Sequence, residues 1–371
     1  MSARRLSGER AERLEAVASA EGLDSILVGD LVRPGDSSRE AMADLIWLTG
    51  FTGTSGLAVV GSSRRDFVTD FRYTEVAAET LPDGFELRRA EERLIDEAAK
   101  SLAGRVGFDE EKTSVKALAR LEEKVDKGVE LVAIDGLLEQ LRRVKDANEV
   151  EAIAAACQLS DQVFAELEQA GLAGRREREV ANWIESRMRE LGAVGPSFPA
   201  IVGGGPTGSR PHAESGEREI GAAELVVVDA GALLDGYCSD CTRTYASGTL
   251  PDEQLEVYEL VLRAQLAALD AVAVGVSGVE VDAVAREIIK AGGHGERFGH
   301  GLGHGVGIEV HEAPRLSPRS KDTLGAGEVF SVEPGVYLPG EFGVRIEDLV
   351  ALGVDGARVL TQRPKDLLVV G

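Results

Sequence analysis

The chain has 371 residues, 43% hydrophobic and 28% charged, the balance of a globular protein and more chain than one core usually holds. Its 41 Lys and Arg against 64 Asp and Glu leave a net charge of −23, which argues against nucleic acid or an anionic membrane as partner. Three cysteines, no bilayer-length apolar run and a charged N-terminal stretch without an apolar signal core point to a reducing, cytoplasmic setting.

Periodicity predicts a helix over residues 9–21 and a strand over 25–28, then short strands at 45–48, 56–60 and 66–69, each bounded by Gly, Ser or Asp. Helices are expected at 72–80, 92–102 and 116–125, with strands at 85–88 and 106–108 between them. This is a small α/β domain, placed at residues 1–145. It contains no histidine, and its glycine-rich stretch 50–56 lacks the Lys-Ser/Thr of a phosphate loop, so it reads as a turn.

The second domain, residues 146–371, carries the chemistry. Helices are expected at 149–169 and 176–191, and a strand at 197–202 runs into Gly203-Gly204-Gly205-Pro206. Leu225 to Val228 reads as a buried strand, Asp235-Gly236 as a turn, and 237–245 as the return strand. Asp229 and Asp240 lie in this hairpin. Folding about Leu234-Asp235 sets them opposite each other, and folding about Asp235-Gly236 makes them diagonal neighbours on one face. Carboxylates so placed repel unless a cation, most simply a metal ion, lies between them. Cys238 and Cys241 read as small apolar fillers around Ser239-Asp240 rather than as a redox pair.

Further helices are expected at 253–273, with Pro251 at the start, and at 279–291, stopped by Gly292-Gly293. Four of the five histidines fall between His294 and His311. Two strand-like runs, 329–337 and 343–351, close the chain around Pro339-Gly340. Pairing about Gly340 sets Glu333 opposite Glu347, with Pro334 breaking the ladder locally. Between the hairpins, the glycines around His300 and His304 let backbone approach a site that imidazole can ligate. Four carboxylates and one imidazole suit a pair of hard or borderline divalent ions such as Mn²⁺, Co²⁺ or Fe²⁺.

The Asp229/Asp240 hairpin, Gly-His-Gly-Val-Gly at 303–307, Val-His-Glu at 310–312, Ser-Val-Glu-Pro-Gly at 331–335 and Arg-Ile-Glu-Asp at 345–348 together resemble the pita-bread metallopeptidases. That superfamily includes methionine aminopeptidase, prolidase, aminopeptidase P and creatinase. Trp-Leu-Thr-Gly-Phe-Thr-Gly at 47–53 and Thr-Asp-Phe-Arg-Tyr at 69–73 extend the resemblance to a creatinase-type N-terminal domain. The resemblance implies an α+β protein, a C-terminal pita-bread domain preceded by the smaller α/β domain.

It also implies two bound divalent ions, manganese first, with cobalt, zinc or iron as substitutes. Asp229 would bind one ion, His304 and Glu333 the other, and Asp240 and Glu347 both. His212 and His311 would attend the scissile carbonyl, and Glu333 would pass a proton to the leaving nitrogen. His300 would lie beside the substrate, and Arg345 and Tyr337 would steady the shared ligands Asp240 and Glu347. The complete ligand set speaks against creatinase, and the extra domain against methionine aminopeptidase. The activity so implied is that of a homodimeric Xaa-Pro aminopeptidase acting on peptides with proline second. Two alternatives stand beside it: an Xaa-Pro dipeptidase (prolidase), and a non-catalytic pita-bread binding module.

Overall fold

A computed structural model describes residues 3–32 and 38–371, which divide along the chain into a unit ending at Arg142 and a unit beginning at Arg143. The first unit is built on a mixed sheet of β1 (Ser25–Val28), β2 (Gly56–Gly61), β3 (Arg64–Thr69), β4 (Glu86–Arg89), β5 (Arg105–Asp109) and β6 (Glu130–Ile134), in the order β4-β3-β2-β1-β5-β6. β1 lies inside, pairing antiparallel with β2 and parallel with β5, and every residue of it is buried. That explains its unbroken apolar run. Leu27, Val59, Val68, Val106 and Leu121 pack in the core beside it.

One expected strand is a helix. Residues 45–48 lie in the helix Arg39–Thr49, whose N-cap Ser38 accepts a hydrogen bond from the Ala41 amide and whose C-cap is Gly50 in the left-handed region at φ 74°. Leu45, Ile46, Trp47 and Leu48 are all buried. A helix wrapped by core on every side leaves a short apolar run that reads as strand just as well.

In the second unit the strands are β7 (Gly195–Pro196), β8 (Ile201–Gly204), β9 (Leu225–Asp229), β10 (Ala232–Leu234), β11 (Tyr237–Cys238), β12 (Thr242–Ala246), β13 (Gly303–Gly305), β14 (Glu312–Leu316), β15 (Glu328–Val332), β16 (Gly335–Leu338), β17 (Phe342–Arg345), β18 (Asp348–Gly353) and β19 (Gly356–Val359). They form sheets β12-β9-β8, β11-β10-β7, β14-β13-β15-β18-β19 and β16-β17. Two cores result. In one, Val163 and Leu167 of helix Ala147–Ala170 and Val180 and Ile184 of helix Glu177–Glu190 cluster with Val226 and Val228 of β9. In the other, Val257 and Val261 of helix Asp252–Asp270 and Ala285 and Ile289 of helix Gly278–Ala291 cluster with Phe330, Val332 and Val350. Helices outside and sheets inside make this an α+β unit. Among the described residues no helix is long and apolar enough to cross a membrane.

Both hairpins are interrupted where their acids lie. The first turns about Asp235-Gly236, with both residues at positive φ (48° and 88°), as a two-residue type I′ turn requires. Leu234 therefore pairs with Tyr237 and Asp229 with Thr242, which makes Asp229 and Asp240 diagonal neighbours. The long closing strands are each split in two. β15 pairs with β18 up to Val332–Asp348, and β16 resumes with β17 at Gly335–Arg345 in the same register. Glu333 and Glu347 face each other in the gap. Pro334 has no amide to donate there, and the Glu333 amide donates instead to the Leu302 carbonyl at 2.8 Å.

Candidate metal centre and catalytic cleft

A cleft of about 490 Å³ opens among these interruptions. Asp229, Asp240, His304, Glu333, Glu347, His212, His300, His311, Tyr337 and Arg345 all line it. His294 stands outside it. Asp229 ends β9, Asp240 occupies the bend between β11 and β12, and His304 is the central residue of the three-residue β13. The glycines beside His304 are required by crowding. A Cβ at Gly303 would lie 1.9 Å from the Ser331 carbonyl oxygen, and one at Gly305 2.0 Å from that of Ala313.

Ligand atoms of Asp240, His304 and Glu347 lie within 4.8 Å of one another. His304 Nε2 is 3.1 Å from Glu333 Oε1 and 3.8 Å from Asp240 Oδ2. Its Nδ1 is 3.1 Å from the Gly305 carbonyl, which can only accept, so Nδ1 carries a proton and Nε2 is the nitrogen turned toward the acids. Arg345 donates to Asp229 Oδ2 at 2.6 Å, to the Tyr337 hydroxyl at 2.8 Å and to Thr242 Oγ1 at 3.0 Å. Thr242 Oγ1 donates to Glu347 Oε2 at 2.8 Å. Tyr337 lies 3.1 Å from His300 Nε2, and His300 Nδ1 lies 2.8 Å from the Gly301 carbonyl. Thus Arg345 and Tyr337 are committed to Asp229 and to His300.

The electrostatics show what the cluster lacks. Burial, then Glu347 and Asp229, push the Asp240 carboxyl well above its ordinary value. Burial, Glu333 and Asp229 do the same for Glu347, and burial raises Asp229 despite Arg345. Glu333 goes the other way: burial opposes its charge, but the His304 hydrogen bond and nearby cations outweigh it and lower the carboxyl to about 2. Asp229 Oδ1 and Glu347 Oε1 are buried without a hydrogen-bond partner. An oxygen-rich, anionic pocket with orphaned carboxylate oxygens and an imidazole nitrogen turned inward fits divalent cations.

Around it stand the outer histidines. The His311 ring lies 4.4 Å from that of His304; burial, His304 and Arg315 lower its pKa to about 4, so it is neutral at physiological pH. Burial likewise lowers His300. His212 is exposed at the rim, and Arg345 Nη1 donates at 3.3 Å to the carbonyl of the preceding Pro211. Two residues not singled out from the sequence complete the cleft. Thr242 tethers Glu347 and Arg345, and its place two residues after Asp240 is the one signal it carries. Arg315 pairs with His304 across β13–β14, and its guanidinium makes no hydrogen bond or ion pair among the described residues. Nothing local in the sequence marks it.

The chain matches the description "Metallopeptidase family M24" over residues 151–353 and "Creatinase/Prolidase N-terminal domain" over 10–144. This protein belongs to metallopeptidase family M24. It is 43% identical over 240 residues to an Xaa-Pro dipeptidase of Pyrococcus furiosus, covering 64% of this chain and 69% of the relative. Among solved structures, an Xaa-Pro dipeptidase from Bacillus anthracis superposes with a TM-score of 0.91 at 36% identity, covering 98% of this chain and 99% of that one. An X-Pro aminopeptidase from Thermotoga maritima gives 0.87 at 36% identity, covering 97% and 100%. The M24 fold, with its creatinase-type N-terminal domain, is thus the fold of this chain, and the protein is a metallopeptidase.

Proposed function

We propose that this M24 peptidase is an Xaa-Pro dipeptidase, hydrolysing the bond between a first residue and a C-terminal proline. The observation that carries the reading is Arg315, an uncommitted guanidinium in the same cleft as the five ligand-type side chains. A dipeptide presents its carboxylate one residue beyond the scissile bond, where a free arginine can take it by paired hydrogen bonds. The Pyrococcus and Bacillus likenesses support this over the aminopeptidase expected from the sequence. The Thermotoga likeness favours the second reading, an Xaa-Pro aminopeptidase whose substrate runs on past proline.

Asp229, Asp240, His304, Glu333 and Glu347 would hold two divalent ions, manganese first because the donors are mostly hard oxygens. When bound, such ions supply an acidified water and a Lewis acid for the carbonyl. Neutral His311, with His212 at the rim, can donate a hydrogen bond to the oxyanion without carrying charge of its own. Glu333, in the cleft beside His304, is our candidate to take up a proton and deliver it to the proline nitrogen. The complete ligand set argues against a non-catalytic module.

Rates on an Xaa-Pro dipeptide and an Xaa-Pro-Yaa tripeptide with added Mn²⁺ test the reading. Dipeptide-only cleavage is expected, with Arg315→Met raising the dipeptide KM roughly 10- to 100-fold, the loss of a charge-assisted pair. Equal cleavage of the tripeptide, or an indifferent Arg315→Met, would hand the assignment to the aminopeptidase.

A further inference from the structure

Among the described residues, none lining the cleft belongs to helix Gly278–Ala291, yet two residues of that helix hold the segment that carries His300. Arg286 donates to both carboxylate oxygens of Asp282, one turn earlier, at 2.7 and 2.8 Å. The same guanidinium donates to the Phe298 carbonyl and to the His300 carbonyl, each at 2.8 Å, and lies 4.1 Å from the centre of the Phe298 ring. That ring meets His300 edge-on at 5.0 Å. Buried Asp282 also accepts the Leu302 amide at 3.1 Å, and the Leu302 carbonyl in turn accepts the Glu333 amide. Three bonds that fix the glycine-flanked stretch, at the Phe298 and His300 carbonyls and the Leu302 amide, therefore lead back to one ion pair.

We propose that Arg286 and Asp282 are positioning residues of the peptidase reaction: without touching substrate, they hold residues 298–302 so that His300 meets Tyr337 and faces the cleft. The planar fork of arginine is what the task demands, since four acceptors in three directions exceed what one ammonium group can reach. The flanking glycines give the segment little stiffness of its own, so its order depends on this anchor. The kinetic part of the inference rests on the proposed peptidase function, but the placement of His300 does not.

The test compares Arg286→Met, Arg286→Lys, His300→Gln and the double variant Arg286→Met/His300→Gln, each assayed for metal content, kcat and KM on an Xaa-Pro dipeptide with Mn²⁺. Imidazole ¹⁵N–¹H spectra of the metal-free proteins accompany them, with His300 assigned by its loss in His300→Gln. Arg286→Met is expected to keep wild-type metal content, to move the His300 resonances, and to lower kcat/KM about 10- to 100-fold. Arg286→Lys should recover part of that loss. In the His300→Gln background the methionine change should cost under about threefold, because the two act through one group. A purely structural pair predicts unmoved His300 resonances and the same cost in both backgrounds; either result overturns the proposal. Should Arg286→Met not fold, Asp282→Asn, which keeps an acceptor for Leu302 but loses the charge, is read the same way. A wild type that cleaves no Xaa-Pro bond would remove the functional reading alone, and the spectra would still decide the placement.

Discussion

Asp44, in the first unit, is buried with Arg142 at 2.7 Å and Lys112 at 2.5 Å; Asp240, in the second, is buried among Glu347, Asp229 and Glu333. Burial works against the charge of both. Around Asp44 the two cations outweigh it and the carboxyl falls below its ordinary value, whereas around Asp240 the neighbouring acids add to it. The contrast recurs between adjacent residues. Asp348 is satisfied by Arg243, Lys365, Gln265 and Thr361, while Glu347 keeps an oxygen without a partner. A buried acid is therefore no sign of a site; a buried acid lacking its counter-charge is.

Substitutions should separate the two kinds. The largest effect is expected from Asp240→Ala. It should release metal, measured by elemental analysis, and lower kcat by more than about 100-fold, beyond what loss of an outer-shell partner costs. Near-wild-type turnover would remove Asp240 from the metal site. Asp44→Asn should do the reverse, leaving metal content alone but destabilising the first unit by roughly 3–5 kcal/mol in urea, because it takes the anion from two buried or half-buried cations.

Acid should sharpen the contrast. With its folded pKa lowered, Asp44 contributes stability that is whole above the unfolded value of about 4 and is lost as pH falls through the folded value. Asp240 and Glu347, with raised values, retain protons that a cation must displace. Metal affinity should therefore climb with pH, up to about tenfold per unit for each proton released, as titration calorimetry in buffers of different ionisation enthalpy can count. The smallest effect is expected from Thr242→Val, which deletes the tether to Glu347 and Arg345 and should cost about tenfold in kcat/KM at unchanged thermal stability.

Much of this was legible in the sequence because it rests on local chemistry. Asp235-Gly236 announces a type I′ turn, and that turn selects the diagonal register of Asp229 and Asp240. Pro334 announces the break that frees Glu333. What escaped depends on tertiary surroundings. Residues 45–48 are apolar because core surrounds a helix, and the run alone does not say so. β6 is a half-exposed strand without clean alternation, and no reading from periodicity anticipates it. Arg315 and Arg286 are arginines among many; only the folded chain shows that one is uncommitted and the other has four acceptors.

The two cores of the second unit have a mechanical consequence. Asp229 ends a strand packed with the first helix pair, and Glu333 and Glu347 flank strands packed with the second, while Leu225 of β9 and Ala246 of β12 reach into that second core. Cations held by these side chains together would act as rivets between the two larger cores. Adding them to chelated protein should raise its melting temperature by mass action, and hydrogen exchange should slow most along β9, β12 and β17, where the two halves are stitched together.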